Sequence, residues 1–408
     1  MGNAEPVRLP SDQDASGRSF GDEELALLRE VLDSGVLGSI RGSVTKAFEA
    51  AASELLGAGH AVAVASGTAA VHSAIAALDP EPGEEIVTTG ITDIGGIAPI
   101  LYQGAIPAFA DVDPRTGNVT AETVAAALSE RTRAVIVTHL FGNPCDTAAI
   151  VEVAAAHGVP VIEDCAQALL SRGADGALVG TYGDIACYSL QQGKQASTGE
   201  GGLVLARDEE TARRVRLYVN KAWEYGSPDP DHRSLALNYR FTELGSAVAL
   251  AQLAKLPAGI AARIAAADAL TAAIGDLPGI TPPVVTPGAT HSYWRYALLV
   301  DPAVHEGGSP TLGASLADLG VPAAARYIKK PAWRCGLFTE QKTFGTSRWP
   351  FTLARPEALD YAAERFPGTF EYLDRVLVLP WNERYTAEHA AILASAIGDA
   401  VREPVPAR

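Results

Sequence analysis

The chain has 408 residues, 48% hydrophobic and 20% charged, with a net charge of −16. That length and composition suit a globular protein of two or three domains with a sizeable core. The negative balance disfavours nucleic acid and anionic membranes as partners, since both require a basic patch, but leaves room for a small phosphorylated ligand held by a few local donors.

Residues 1–20 are polar and read as an irregular N-terminal arm. The start lacks a basic, then apolar, signal segment, and Pro6 breaks the myristoylation pattern. No run of 18 uninterrupted apolar residues points to a bilayer span. Cys145, Cys165, Cys187 and Cys335 form neither a CxxC pair nor a zinc spacing, so the expectation is free thiols in a reducing cytoplasm and no metal site.

A first helix is predicted from Asp22-Glu23-Glu24 to a stop at Gly35, and a second over 43–57. From Ala61 the rhythm changes. Strand-like runs at 61–65, 85–89, 106–111, 134–138 and 159–162 alternate with helical segments ending near Leu78, Tyr102, Leu128 and His157. That pitch predicts βαβ units and a mostly parallel sheet, with ligands at the edge formed by the strand C-termini. Two more strands, 185–188 and 203–206, flank the Gly-rich stretch Ser189–Gly202. A charged helix follows at 208–220, then a turn-rich excursion at 221–237. Two separate Ala-rich helices are predicted at 242–255 and 260–274. A Pro/Gly shift near 277–290 suggests a boundary, dividing the chain into the arm, a large domain at 21–255 and a smaller α+β domain at 256–408.

Three features carry chemistry. Ser66-Gly67-Thr68 joins a strand to a helix, where free N–H groups attract an anion; Ser and Thr are equally ordinary helix caps. Glu163-Asp164 ends a strand, so the acid faces the ligand edge either as a helix cap or as partner to a protonated ring nitrogen. Lys194 sits in a Gly-rich loop between strands, either as a surface charge or as an amine kept near neutral for covalent chemistry with a carbonyl. A phosphate cradle, an acid and a lysine, in that order, are the parts that a pyridoxal phosphate enzyme needs. His72, His139 and His291 have no metal spacing and read as core or helix histidines.

Together with Phe109-Ala110-Asp111-Val112-Asp113-Pro114, His139-Leu140-Phe141-Gly142, Gly183-Asp184-Ile185, Asn238-Tyr239-Arg240 and Val378-Leu379-Pro380, these motifs resemble the DegT/DnrJ/EryC1/StrS family of sugar and cyclitol aminotransferases. The resemblance implies the type I fold of pyridoxal phosphate transferases: a mostly parallel seven-stranded sheet sandwiched by helices, with a smaller C-terminal α+β domain. It implies pyridoxal 5'-phosphate as cofactor, glutamate or glutamine as amino donor, and a nucleotide-linked keto-sugar or a ketocyclitol as acceptor, in sugar or secondary-metabolite biosynthesis. Lys194 would bond the cofactor and move the substrate proton. Asp164 would pair with the pyridine nitrogen, and Gln167 would lie near the ring hydroxyl. Gly67, Thr68 and Ser189 would hold the phosphate. Asn238 would reach the phosphate of a neighbouring subunit, implying a homodimer with shared sites. Arg41, Tyr327 and Lys329 fall in loops where family members meet substrate or partner.

Two departures stand out. The segment Thr88–Gly96 has no aromatic residue to stack on the cofactor, so Thr92 or Asp93 would take that place; Asp93 could equally cap the next helix. Asn220–Tyr225 replaces a frequent His-Gly pair. The rival readings are another reaction on the same fold, such as dehydration or carbon–carbon bond chemistry, and a non-catalytic regulator. Dehydratases of this family carry histidine where this chain has Lys194.

Overall fold

A computed structural model describes residues 9–57 and 59–402; the first eight residues of the expected arm, Pro6 included, lie outside them. Helix α1 (Asp22–Ser34) begins at three acids that complement the helix dipole and ends at Gly35, whose φ of 68° only glycine adopts without strain. Helix α2 (Val44–Leu56) follows. The chain then lays down β1 (His60–Val64), α3 (Gly67–Leu78), β2 (Glu85–Thr89), α4 (Ala98–Tyr102), β3 (Ile106–Ala110), α5 (Ala121–Ala127), β4 (Thr132–Thr138), α6 (Thr147–Ala156), β5 (Val161–Asp164), β6 (Ile185–Ser189) and β7 (Gly202–Ala206), followed by helix α7 (Glu209–Val219).

These seven strands form one sheet in the order β1-β7-β6-β5-β4-β2-β3. Only β7 runs against the others. The six like-oriented strands therefore end on one edge. The strands are buried along nearly their whole length, with apolar clusters on both faces, as expected of a sheet covered by helices on both sides.

The sequence pattern and the structure part company in two places. The predicted helix after β2 is interrupted: Gly90, Gly95 and Gly96 leave residues 90–97 irregular apart from one short 3-10 turn, and regular helix begins only at Ala98. The two helices expected either side of Pro257 are one, α8 (Glu243–Ile274). Its buried positions Ala249, Leu253, Leu256, Ile260, Arg263, Ala267, Leu270 and Ile274 keep a single stripe at alternating spacings of four and three. Pro257 falls on the exposed side. Continuous packing on α1, α2 and the C-terminal helix Ala387–Arg402 thus outweighs the roughly 3 kcal/mol that an interior proline costs. α8 is long and apolar enough to cross a bilayer by composition, but this stripe is packed inside the protein. The residue-255 boundary falls within it.

Beyond α8 a four-stranded antiparallel sheet contains β8 (Ile280–Thr281), β9 (Arg295–Val300), β10 (Ala324–Ala325) and β11 (Val376–Pro380), in the order β10-β11-β9-β8. An aromatic group including Trp333, Phe338 and Phe366 packs on Phe109 of β3, an edge strand of the large sheet.

Candidate active site

The C-terminal edge of the large sheet opens into a cavity of about 380 Å³. Its lining comes from the ends of successive strands: Ser66–Thr68 after β1, Thr92–Gly96 after β2, Asp164–Gln167 after β5, and Ser189–Lys194 at and after β6. Residues more than 120 positions apart in sequence meet here because parallel strands all deliver their C-termini to the same edge.

At the start of α3, Ser66 Oγ accepts from the Ala69 N–H at 3.0 Å and caps the helix. The N–H groups of the first turn have no partner within the helix, which suits an anion. Gly67 is required by a close approach: a Cβ there would stand 2.7 Å from Ser189 Cβ. A Cβ on Gly95 would lie 2.3 Å from Thr68 Oγ1, and one on Gly96 3.3 Å from Asp164 Oδ2. The missing side chains thus keep open the space between helix start and acid.

Asp164 is buried, and its Oδ1 accepts from the Ala166 N–H at 3.1 Å. Burial raises its pKa, against the lowering effects of that N–H, Lys194 and His139. A carboxylate so placed favours a cation beside it. Gln167 Oε1 accepts from the Phe141 N–H at 2.7 Å, which fixes its amide at the cavity wall.

Lys194 is half-buried, yet desolvation of its amine lowers the pKa to about 8. Asp164 and Asp93 oppose the shift and Arg295 adds to it. The Nζ atom lies 4.1 Å from the centre of the Trp294 ring. An amine with that pKa is neutral in a useful fraction at neutral pH, the state a nucleophile or general base needs.

Asp93 has both of the roles considered for it within reach. It accepts from the Gly95 N–H at 2.8 Å, capping the short turn, and it also lines the cavity from the position that lacks an aromatic ring. Tyr327 lines the cavity as well. Asn238, Arg41 and Lys329 do not line it. All three are exposed: Arg41 in a turn before α2, Asn238 paired with Asn220, and Lys329 in a separate basic depression with Arg326, Lys330 and Arg334. Asn220, Trp223, Glu224 and Tyr225 border another cavity of about 400 Å³, away from Lys194.

Two contributors were not visible as site residues in the sequence. Trp294 directly precedes β9 and turns its ring to Lys194. Glu200, part of the lysine stretch, reaches the rim. The Tyr-Trp-Arg triplet at 293–295, bulky and charged within an apolar run, was the available signal.

The histidines have structural roles. His291 accepts from the Tyr293 N–H at 2.8 Å, and burial lowers its pKa to about 3. His139, Glu163 and Cys165 bring ligand-type atoms within 4.8 Å of one another. Glu163, however, already accepts from the N–H groups of Gly180, Tyr182 and Gly183. His139 Nδ1 accepts from the Cys145 N–H at 3.1 Å, so Nε2 carries the proton and donates to Glu163 at 3.1 Å.

The strand order, the helix start, the buried acid and the amine of lowered pKa fit the class of protein that binds pyridoxal phosphate at the C-terminal edge of such a sheet. The chain belongs to the DegT/DnrJ/EryC1/StrS aminotransferase family, whose model matches residues 18–397. It is 34% identical to the L-glutamine:2-deoxy-scyllo-inosose aminotransferase of Streptomyces fradiae, covering 76% of each chain. It is 33% identical to the GDP-perosamine synthase of Caulobacter vibrioides, over 76% of this chain and 82% of that one. Among solved structures it is similar to 3-amino-5-hydroxybenzoic acid synthase (TM-score 0.84, 28% identity) and to the aminotransferase TlmJ of Streptoalloteichus hindustanus (TM-score 0.80, 29% identity), covering 95% of this chain and 98% of each of those.

Proposed function

We propose that this protein is a pyridoxal-phosphate-dependent aminotransferase that moves an amino group from glutamate or glutamine to the keto group of a ketocyclitol or a nucleotide-linked sugar. The observation that carries the reading is the lysine of lowered pKa, Lys194, sharing one cavity with buried Asp164 and the α3 start. When bound, the cofactor supplies an aldehyde that condenses with amines and a ring that accepts the electron pair left by a departing proton.

The chain's residues divide the work. The first N–H groups of α3, with Thr68 and Ser189, hold the phosphate. Asp164 would pair with the protonated ring nitrogen, and Gln167 would serve the ring hydroxyl. Lys194 Nζ takes the proton from the carbon bearing the donor's amine and later returns one to the former carbonyl carbon of the acceptor. Trp294 and Tyr327 shield the amine from bulk water.

Among the described residues that line the cavity Lys194 is the one cation, beside three acids, Asp93, Asp164 and Glu200. A phosphate and a donor carboxylate call for more positive charge than one reactive amine provides. This supports a composite site in a homodimer, the partner supplying further charge and Asn238 of each subunit adding an amide donor to the other's phosphate. A reducing cytoplasm fits the free cysteines, three of which are buried.

The test is to load the protein with the aminated cofactor and offer a panel of ketocyclitols and nucleotide-linked keto-sugars, following return of the lysine-bound cofactor's absorbance and the aminated product by mass spectrometry. Lys194→Ala should lose both signals. Turnover at the wild-type rate in that variant would overturn the assignment.

A further inference from the structure

The N-terminal arm is more than a leader to α1. Arg18 is 5% exposed, and its guanidinium donates to three main-chain carbonyls. Nε reaches Asp12 O at 2.9 Å and Nη1 reaches Lys194 O at 2.9 Å, while Nη2 is bonded to Gln192 O. The carbonyl between those two, Gly193 O, accepts from Trp294 Nε1 at 2.6 Å. Three consecutive carbonyls at the reactive lysine are therefore each held by a donor from outside the loop.

We propose that Arg18 is a positioning residue for Lys194, clasping the main chain of residues 192–194 so that the amine is presented to the cavity. The loop after β6 has no regular structure here, so the amine's position is only as good as that of the main chain beneath it. A fork-shaped guanidinium spans two carbonyls as a point-like ammonium does not. The clasp is itself anchored. Gln192 Nε2 donates to Asp12 O at 2.8 Å. The buried Asp12 carboxylate pairs with Arg295 at 2.7 Å, and Arg295 lies 4.6 Å from the Trp294 ring that Lys194 also faces. Arm, lysine loop and the start of β9 are thus joined by one continuous set of hydrogen bonds and ion pairs. A simple tether between arm and body has no need to end on the lysine's own carbonyl.

The inference rests on Lys194 being the reactive amine. Its test measures acylation of Lys194 as a function of pH in cofactor-free, full-length protein, read by peptide mass spectrometry, together with kcat, KM and the melting temperature of the loaded enzyme. In Arg18→Met, kcat should fall ~10²-fold, the cost of about 1 Å of misplacement, with KM for the acceptor within about threefold. The acylation midpoint should rise by about one pH unit as the loosened amine meets water. Arg18→Lys should fall between this variant and wild type on both measures. The proposal fails if folded Arg18→Met keeps the wild-type midpoint, or if kcat drops only in step with the folded fraction. Should Arg18→Met not fold, Arg18→Lys decides by the same two measures. Turnover surviving in Lys194→Ala would instead overturn the parent reading, whatever Arg18 does.

Discussion

Glu163 and Asp164 are consecutive residues at the end of β5, both buried, with side chains on opposite faces of the sheet. On one face, Glu163 accepts from three main-chain N–H groups and from His139, which leaves it no free valence for a ligand. On the other, Asp164 accepts from a single N–H and borders the cavity with Lys194. Burial alone therefore does not distinguish a structural acid from a functional one. The number of fixed donors around it does, because a saturated carboxylate is already neutralised by the fold, whereas an under-supplied one is neutralised by what binds.

The largest expected effect falls on the saturated side. Glu163→Ala leaves three N–H groups and a histidine without their acceptor in the core, at a cost of about 4 kcal/mol of unfolding free energy in a denaturant titration. Whatever fraction folds should still take up the cofactor. Asp164→Asn should do the reverse: a melting temperature within a few degrees of wild type, but turnover reduced ~100-fold or more, the equivalent of a lost charge pair of about 3 kcal/mol. If Asp164→Asn unfolded the protein as Glu163→Ala does, the contrast between the two faces would collapse.

A smaller effect probes Lys194, across the cavity from Asp164. Its folded-state pKa is lowered from 10.5 to about 8 by desolvation. Between those values the unfolded chain holds a proton that the folded chain has released, so stability rises with pH across the window. Below about pH 8 both forms are protonated and burial of the cation costs its full amount. Cofactor-free wild type should therefore gain about 1 kcal/mol per pH unit from pH 8 to 10.5 relative to Lys194→Met. Paired melts over that range measure the slope; equal slopes in the two proteins would place the amine in water.

Much of this site is legible in the sequence because βαβ pitch says where strands end, and ends of parallel strands share an edge. Ser66–Thr68, Asp164 and Lys194 each follow or end a strand-like run, so their meeting is a consequence of topology. Arg18 and Trp294 carry no such mark: they reach the lysine loop by contacts across 176 and 101 positions, which no local pattern encodes. Pro257 misleads for a related reason, since a local rule against interior proline yields to a buried stripe that runs past it. Asn238, Arg41 and Lys329 stay outside this chain's cavity, where a residue serving a second subunit would also be found.

Asp93 is the smallest and most discriminating case, because it stands between the fates of Glu163 and Asp164. It has one fixed donor, the Gly95 N–H, yet it is exposed at the cavity and raises the pKa of Lys194. Asp93→Asn keeps an oxygen for the cap and removes only the charge, so stability should stay within about 0.5 kcal/mol. Without the anion the neutral amine gains, and the Lys194 acylation midpoint should fall by a few tenths of a pH unit, with kcat/KM changing about threefold. That shift is opposite in sign to the one expected for Arg18→Met; because losing the Arg18 cation would itself raise the midpoint, Arg18→Lys, which keeps the charge, is the variant that separates loosening from charge removal. An unchanged midpoint and unchanged kinetics in Asp93→Asn would make the residue a cap and nothing more, and would move it to Glu163's side of the comparison.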